Sequence, residues 1–269
     1  YSQFRTLEGI GILSLILKAN GFAEFKIRQD GDWKLDIPIR DRGKPTFVLY
    51  TGTESVEEKE IIRNIFNGDW EYVPSSLRSE LQAISSNNLL GEIIKIIMIT
   101  ASGAEGISLK NVRYVHITEP YWHPVRIQQV IGRARRICSH KDLPNELQTV
   151  EVTLYLMTFS KKQLSDGRSI ELRLKDRSKR DKETPLTSDE ALYEISTIKE
   201  DINKGILHNI KESAIDCSIH TTLGGKEQLQ CYSFSSANPD KFSYSPSLSE
   251  EESDKIADIN KVVKAVKAK

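Results

Sequence analysis

The sequence predicts an α/β fold, a parallel sheet flanked by helices and followed by a mainly helical C-terminal extension. Three observations carry this. Short β-branched runs alternate with helical stretches as far as about residue 165, and such alternation needs crossover connections, which make neighbouring strands parallel. The run Ile93-Ile94-Lys95-Ile96-Ile97-Met98-Ile99 is nearly all apolar, as a strand buried on both faces must be. After Ser160 apolar content falls and charge rises, so the sheet ends near there. The expected organisation is a sheet domain over 1–165, a basic loop or linker over 166–186 and a mainly helical extension over 187–269 that includes a disordered segment.

Taken in order, Tyr1 reads as part of a strand. With no initial Met, the chain reads as a fragment of something longer. Leu7–Ala19 is an apolar helix that stops at Asn20-Gly21, a pair suited to a C-cap. Thr46–Tyr50 is a short strand. Thr53-Glu54-Ser55 opens a charged helix reaching Asn67, with Gly68 after it, and Pro74–Ile84 is another helix. Val112–Thr118 and Gln148–Met157 are further strands. Arg168 and the six Lys/Arg of 171–182 mark a mobile loop. Ser188 then caps a long helix, with Asp189 and Glu190 in its first turn where they favour the helix dipole. The helical pattern runs to about Ala214, with a break marked at Gly205. Lys255–Lys269 reads as a short terminal helix.

Bulk properties exclude several classes. The 269 residues suffice for a sizeable core, and 38 Lys+Arg balance 38 Asp+Glu, so nucleic acid is not advertised by overall charge. No apolar run approaches the roughly 18 residues of a membrane helix, so the expectation is a soluble, intracellular protein without a membrane partner. Cys138, Cys217 and Cys231 are few, scattered and odd in number, which predicts free thiols in a reducing compartment. Cys217, His220 and Cys231 lack the tight pairing of a zinc site, so no metal site is expected. His116, within an apolar strand, reads as a satisfied core histidine. Trp122 and His123 read as a wedge between a strand and a helix.

Two segments carry chemistry. The strand ending at Ile99 runs into Thr100-Ala101-Ser102-Gly103-Ala104-Glu105-Gly106-Ile107. In open α/β sheets ligands bind beyond the carboxyl ends of strands, and a loop of hydroxyls and glycines there offers donors to phosphate oxygens. A second strand ends in Glu119-Pro120-Tyr121-Trp122-His123-Pro124 and leads into Gln129-Val130-Ile131-Gly132-Arg133-Ala134-Arg135-Arg136. In a helix starting at Pro124, Gln129, Arg133 and Arg136 share one face. Gly132 leaves room there for a ligand or another backbone. Two arginines aimed at one point repel unless an anion lies between them, and guanidinium forks match phosphate oxygens. An arginine cluster alone would read as a solvated basic face; the neighbouring loop changes that preference. Arg126 faces either nucleic acid or solvent.

The order Thr-x-x-Gly-x-x-Gly-Ile, then a strand, then Gln-x-x-Gly-Arg-x-x-Arg resembles motifs V and VI of superfamily 2 helicases and translocases, especially the Swi/Snf-like branch. Tyr1-Ser2-Gln3-Phe4 looks like motif IV, and Tyr50-Thr51-Gly52 with Glu57-Glu58-Lys59 and Phe66-Asn67 looks like the next block. The resemblance covers residues 1–160 and implies a RecA-like domain, the second of two that clamp one ATP. It implies that Arg133 and Arg136 contact the γ-phosphate as the catalytic arginine fingers. Gln129, Gly103, Glu105, Gly106 and Gly132 would face the nucleotide cleft. Ser2, Thr51, Gly52, Thr100 and Ser102 would touch the DNA or RNA backbone, contacts that position a strand without reading its sequence. ATP and Mg would be held mainly by a preceding RecA-like domain of the same polypeptide. The chain has no Gly-x-x-x-x-Gly-Lys-Ser/Thr loop and no Asp-Glu-x-His/Asp box, so taken alone it is expected not to hydrolyse ATP. Glu105 and Ser108 depart from the Swi/Snf-like pattern, which has an apolar residue and an asparagine there.

Thr187-Ser188-Asp189-Glu190, Lys211–Cys217 and the strand around Val152–Phe159 resemble C-terminal parts of helicase-like proteins of large DNA viruses, such as the poxvirus early transcription factor small subunit. That implies a viral ATPase linked to transcription machinery or genome handling, in virion or host cytoplasm. The competing expectation is a non-catalytic RecA-like interaction module in such a complex.

Overall fold

The computed structural model describes residues 1–6, 9–104, 106–166, 186–214, 217, 229–231, 241–242 and 257–258. The predicted loop at 166–186 lies outside these apart from its end residues, and so does the terminal helix expected at Lys255–Lys269 apart from Ala257–Asp258, which form a short strand instead. The chain divides into two units, Tyr1–Ser196 and Thr197–Lys269.

The first unit is built on parallel strands. Strand β1 (Ala23–Glu24) pairs with β4 (Thr46–Tyr50), and β4 pairs in register with β5 (Ile96–Ile99), Phe47 opposite Ile96 and Tyr50 opposite Ile99. A second parallel pair joins β6 (Tyr114–Ile117) to β7 (Glu151–Leu154). Tyr1 and Ser2 connect the two pieces. The Ser2 N–H donates to Ile99 O at 3.1 Å, the Tyr1 nitrogen to His116 O at 2.6 Å, and the Thr118 N–H to Tyr1 O at 3.0 Å. Ser2 therefore bonds to β5 and Tyr1 to β6 and the residue after it, so the pair bridges the two strands as the strand expected at Tyr1 would.

Alternation along β4 sorts side chains to the two faces. Phe47 packs with Met98 and Ile10 of helix α1 (Ile10–Ala19). Val48 and Tyr50 face Ile61, Ile62 and Ile65 of α2 (Val56–Asn67) and Leu77 and Leu81 of α3 (Ser75–Gln82). Phe47, Ile65, Leu77 and Leu81 have no exposed surface, and burying each stabilises the fold by roughly 1.5–3 kcal/mol. The sequence's punctuation works as chemistry demands. At the end of α1, Phe22 N bonds Leu17 O at 3.0 Å and Gly21 N bonds Lys18 O at 3.2 Å, closing a Schellman motif around the left-handed Gly21. Ser55 Oγ accepts from Glu58 N at 3.1 Å at the start of α2, and Gly68 ends that helix with φ +74°.

Several expectations are corrected. The hairpin β2–β3 (Ile27–Asp30 with Asp32–Leu35) turns at Gly31, φ +71°, and was absent from the sequence expectations. Its four-residue strands are mostly exposed and carry little periodic signal. His116 is exposed rather than core, because β6 alternates: Val115 and Ile117 face inward while Tyr114 and His116 face out, with His116 Nδ1 3.0 Å from Tyr155 Oη. The long C-terminal helix α7 (Ser188–Ser213) is capped one residue earlier than expected. Thr187 Oγ1 accepts from Glu190 N at 3.2 Å while the Glu190 carboxylate accepts from Thr187 N at 2.8 Å, a reciprocal capping box. The helix passes through Gly205 unbroken.

In the second unit, Cys217 and Cys231 form a disulfide, with Cα atoms 5.6 Å apart. The expectation of free thiols thus holds for Cys138 but not for these two. Counting cysteines cannot reveal which of them the backbone brings within bonding range. The buried Glu212 carboxylate accepts from Gln230 N at 3.1 Å and lies 3.0 Å from His208 Nε2, which holds the Cys231 segment beside the helix end. Among the described residues no helix is long and apolar enough to cross a membrane, and no cluster of His, Cys, Asp or Glu could hold a metal.

Candidate nucleotide and nucleic-acid site

The loops after β4, β5 and β6 carry the candidate residues. Beyond β6, His123 takes an extended conformation and Pro124 opens helix α5 (Pro124–Ala134), since proline presets φ and needs no N–H partner at that position. Val115, Ile117 and Ala134 form a small core with Ile127, Val130 and Ile131 of α5. That packing fixes the opposite helix face. Arg126, Gln129 and Arg133 line a cavity of about 530 Å³ together with Tyr1, Ala101, Tyr121 and His123. Among the described residues no carboxylate lines it.

Arg126 is held against aromatic rings. Its guanidinium lies 4.7 Å from the Tyr121 ring centroid, and its Nε donates to Tyr1 Oη at 3.2 Å. Partial burial disfavours that cation, but the hydrogen bonds to Tyr1 and Tyr121 outweigh burial and raise its pKa. Hydrogen bonding to Trp122, then to Arg126, pulls the Tyr121 hydroxyl below its ordinary value.

The structure separates the two motif arginines. Helix α5 ends at Ala134, so Arg136 does not continue the face that carries Gln129 and Arg133. Ser139 causes the stop. Its hydroxyl accepts from Arg136 N at 3.3 Å and lies within hydrogen-bond distance of Ala134 O and Arg136 O, while Leu109 N takes Arg133 O at 3.1 Å. Arg136 instead donates to Ser108 Oγ at 2.6 Å. Ser108 is one of the positions at which the chain departs from the Swi/Snf-like pattern, and here it anchors a motif arginine.

A second cluster sits where β4 and β5 end. Gly52 and Ser102 are exposed and adjacent: a Cβ on Gly52 would lie 2.9 Å from Ser102 Oγ. Thr100 Oγ1 lies 3.0 Å from Ser102 Oγ. Three of the other expected contact residues are turned inward. Ser2 and Thr51 are fully buried and Thr100 nearly so. Ser2 Oγ bonds the Glu119 carboxylate and accepts from Phe4 N at 3.0 Å. Thr51 Oγ1 donates to Glu54 and accepts from Arg5 Nε at 2.9 Å. Their side chains set the loops rather than face solvent. Gly103 is buried too, because a Cβ there would come 2.2 Å from Tyr50 O. Gly106 adopts φ +72° in open space, and Gly132 has nothing within 4 Å of its would-be Cβ. Glu105 lies outside the described residues. Neither Arg5 nor Thr53 is among the site residues expected from the sequence; Arg5 donates to Thr53 Oγ1 at 2.6 Å. Only the fold brings residue 5 to residue 53.

Glu54 organises this turn. Burial works against its charge, but its own N–H, the Thr51 N–H and the hydroxyls of Thr51 and Thr53 outweigh burial and hold its pKa below the usual carboxylate value. A depressed folded-state pKa gives stability that is present above the unfolded carboxylate pKa of about 4.3 and is lost as pH falls through the folded value. The melting temperature of the wild-type chain is therefore expected to fall more steeply below about pH 4.3 than that of Glu54→Gln. Parallel melting curves for the two proteins from pH 6 to 3 would remove this role.

Residues 34–138 match the family model of the helicase conserved C-terminal domain. A protein of Acanthamoeba polyphaga mimivirus, named as a candidate ATP-dependent RNA helicase, is 27% identical over 95% of this chain and 26% of its own length. A second mimivirus protein of the same description is 28% identical over 86% of the chain and 32% of its own length. The termination factor NPH-I homolog of African swine fever virus, isolate Pig/Kenya, is 32% identical over 83% of the chain and 31% of its own length. The chain thus spans between about a quarter and a third of these relatives. No solved structure matches it. With the parallel sheet and its flanking helices, these likenesses identify the chain as carrying a helicase C-terminal, RecA-like domain of the type found in large DNA viruses.

Proposed function

We propose that this chain is the second RecA-like half of a nucleic-acid-dependent ATPase, a helicase or translocase, and that it supplies arginine fingers and backbone contacts. The supporting observation is the cavity in which Gln129, Arg126 and Arg133 converge, with no carboxylate among its described lining residues. That donor set fits phosphate oxygens. It does not fit a magnesium ion, which takes carboxylate, phosphate and water oxygens, so Mg and most of the ATP would be held by another domain. ATP supplies the phosphoryl group whose transfer drives the cycle. In this reading Arg133 places a fixed positive charge beside the γ-phosphate. Arg136 joins it once released from Ser108. Gln129, one turn earlier on the same face, senses whether the phosphate is present. Such charges stabilise the spread negative charge of phosphoryl transfer without a proton transfer of their own. The chain alone, lacking a Walker-type loop, is expected not to turn over ATP, and the partner residues come from a domain in the same polypeptide.

The Gly52/Ser102 surface is assigned to the DNA or RNA backbone. Contacts of this kind release counterions, so the affinity of the chain for a 20-mer oligothymidylate or oligouridylate is expected to fall steeply with salt. The slope of log K against log[salt] should be about −0.7 per phosphate neutralised. Fluorescence anisotropy at 50–300 mM KCl measures it. A salt-independent affinity, or no binding at 50 mM, would count against the assignment.

A further inference from the structure

We infer that Arg5 is a phosphate-contacting residue of the nucleic-acid surface, added by the fold to the loops after β4 and β5. The inference rests on the assignment of that surface to a nucleic-acid backbone. Its argument is geometric. Arg5 Nε and one terminal nitrogen donate to Thr51 Oγ1 and Thr53 Oγ1, at 2.9 and 2.6 Å. These bonds clamp the guanidinium on either side of Gly52. A guanidinium has five N–H donors, so the remaining ones are free to point outward, and the residue is exposed. Among the described residues no carboxylate lies within ion-pair distance of Arg5. Glu54, which shares Thr51 and Thr53 with Arg5, is engaged by the Thr51 N–H and by the hydroxyls of Thr51 and Thr53.

Beside this cation the surface offers two further donors. The Gly52 N–H enters no backbone hydrogen bond among the described residues, and Ser102 Oγ stands next to the position a Gly52 side chain would fill. A side chain at 52 would both strike Ser102 and block approach to the Gly52 N–H. An outward guanidinium, an open N–H and a hydroxyl in one small exposed area match the oxygens of a phosphodiester. The two internal bonds also pre-order Arg5, so less rotamer entropy is lost when phosphate binds.

The test compares wild-type chain with Arg5→Ala, Arg5→Lys and Thr53→Val, each checked for native circular dichroism. Binding to a fluorescein-labelled 20-mer oligothymidylate is followed by anisotropy across a salt series. Arg5→Ala is expected to weaken binding about tenfold at 50 mM salt and to make the salt slope shallower by about 0.7, the loss of one contact. Arg5→Lys should restore the slope but only part of the affinity, because lysine keeps the charge and loses the fork. Thr53→Val removes an internal bond and no charge, so its slope should match wild type. If wild type binds and Arg5→Ala keeps its slope and affinity, the inference fails while the surface assignment stands. If Thr53→Val lowers the slope as much as Arg5→Ala, Arg5 acts by holding the loop and the inference fails. If wild type does not bind, both fall.

Discussion

Replacing Arg133 by alanine in a longer protein that joins this domain to its nucleotide-binding partner is expected to lower kcat for ATP hydrolysis by about a thousandfold or more. The loss should fall on kcat more than on nucleotide affinity, because a finger charge acts where negative charge develops. Of the two proposed fingers, only Arg133 lines the cavity. It sits on the cavity face of α5 with Gln129. Arg136 is expected to be needed as well, though it starts from a different position, bonded to Ser108 Oγ. Steady-state turnover and binding of a fluorescent ATP analogue, measured on the same preparations, separate the two effects. Near-normal kcat in Arg133→Ala would sink the ATPase assignment.

Gly103→Ala is the second large effect, and it concerns the fold. A methyl group there would sit 2.2 Å from Tyr50 O and 3.0 Å from Tyr50 C. Both are backbone atoms of the central strand, so neither can rotate away. Relief requires β5 and its loop to move off β4, and overpacking of this kind costs up to about 3 kcal/mol, occasionally more. Chemical denaturation should show that loss, or the variant should fail to fold. Gly132→Ala supplies the contrast. Gly132 lies inside α5 with open space where a Cβ would go, and alanine in a helix interior is favoured over glycine by about 1 kcal/mol. That variant should therefore be more stable than wild type. If it is also less active in the longer protein, the open space serves a bound ligand or the facing domain. If stability rises and activity is unchanged, Gly132 has no role in the site.

Much of this chain could be read without coordinates, for identifiable reasons. Thr46–Tyr50 was delimited to the residue because a strand buried on both faces leaves an unbroken apolar run between turn residues. Asn20-Gly21 and Gly68 marked helix ends correctly because left-handed termini select glycine. Motif order pointed to a helicase C-terminal domain because its spacing is local in sequence. Periodicity said less about Arg136. Helical spacing places it on the face of Arg133 only while the helix lasts, and its end is set by Ser139 and Leu109 bonding the last carbonyls, contacts that arise after folding. The hairpin at 27–35 and the outward turn of His116 were hidden because short, half-exposed strands carry weak patterns.

What local sequence fixes here is the class of fold and the glycine- and arginine-bearing segments that follow its strands. Those follow from local rules: apolar period, glycine at forced turns, arginine repeated on a helix. Which hydroxyls face solvent and which are spent inside depends on tertiary packing. It buried Ser2, Thr51 and Thr100, left Gly52 and Ser102 open, and brought Arg5 to Thr53 across 48 residues. Exposure depends on what packs against a side chain from elsewhere in the chain, and no local pattern contains that information.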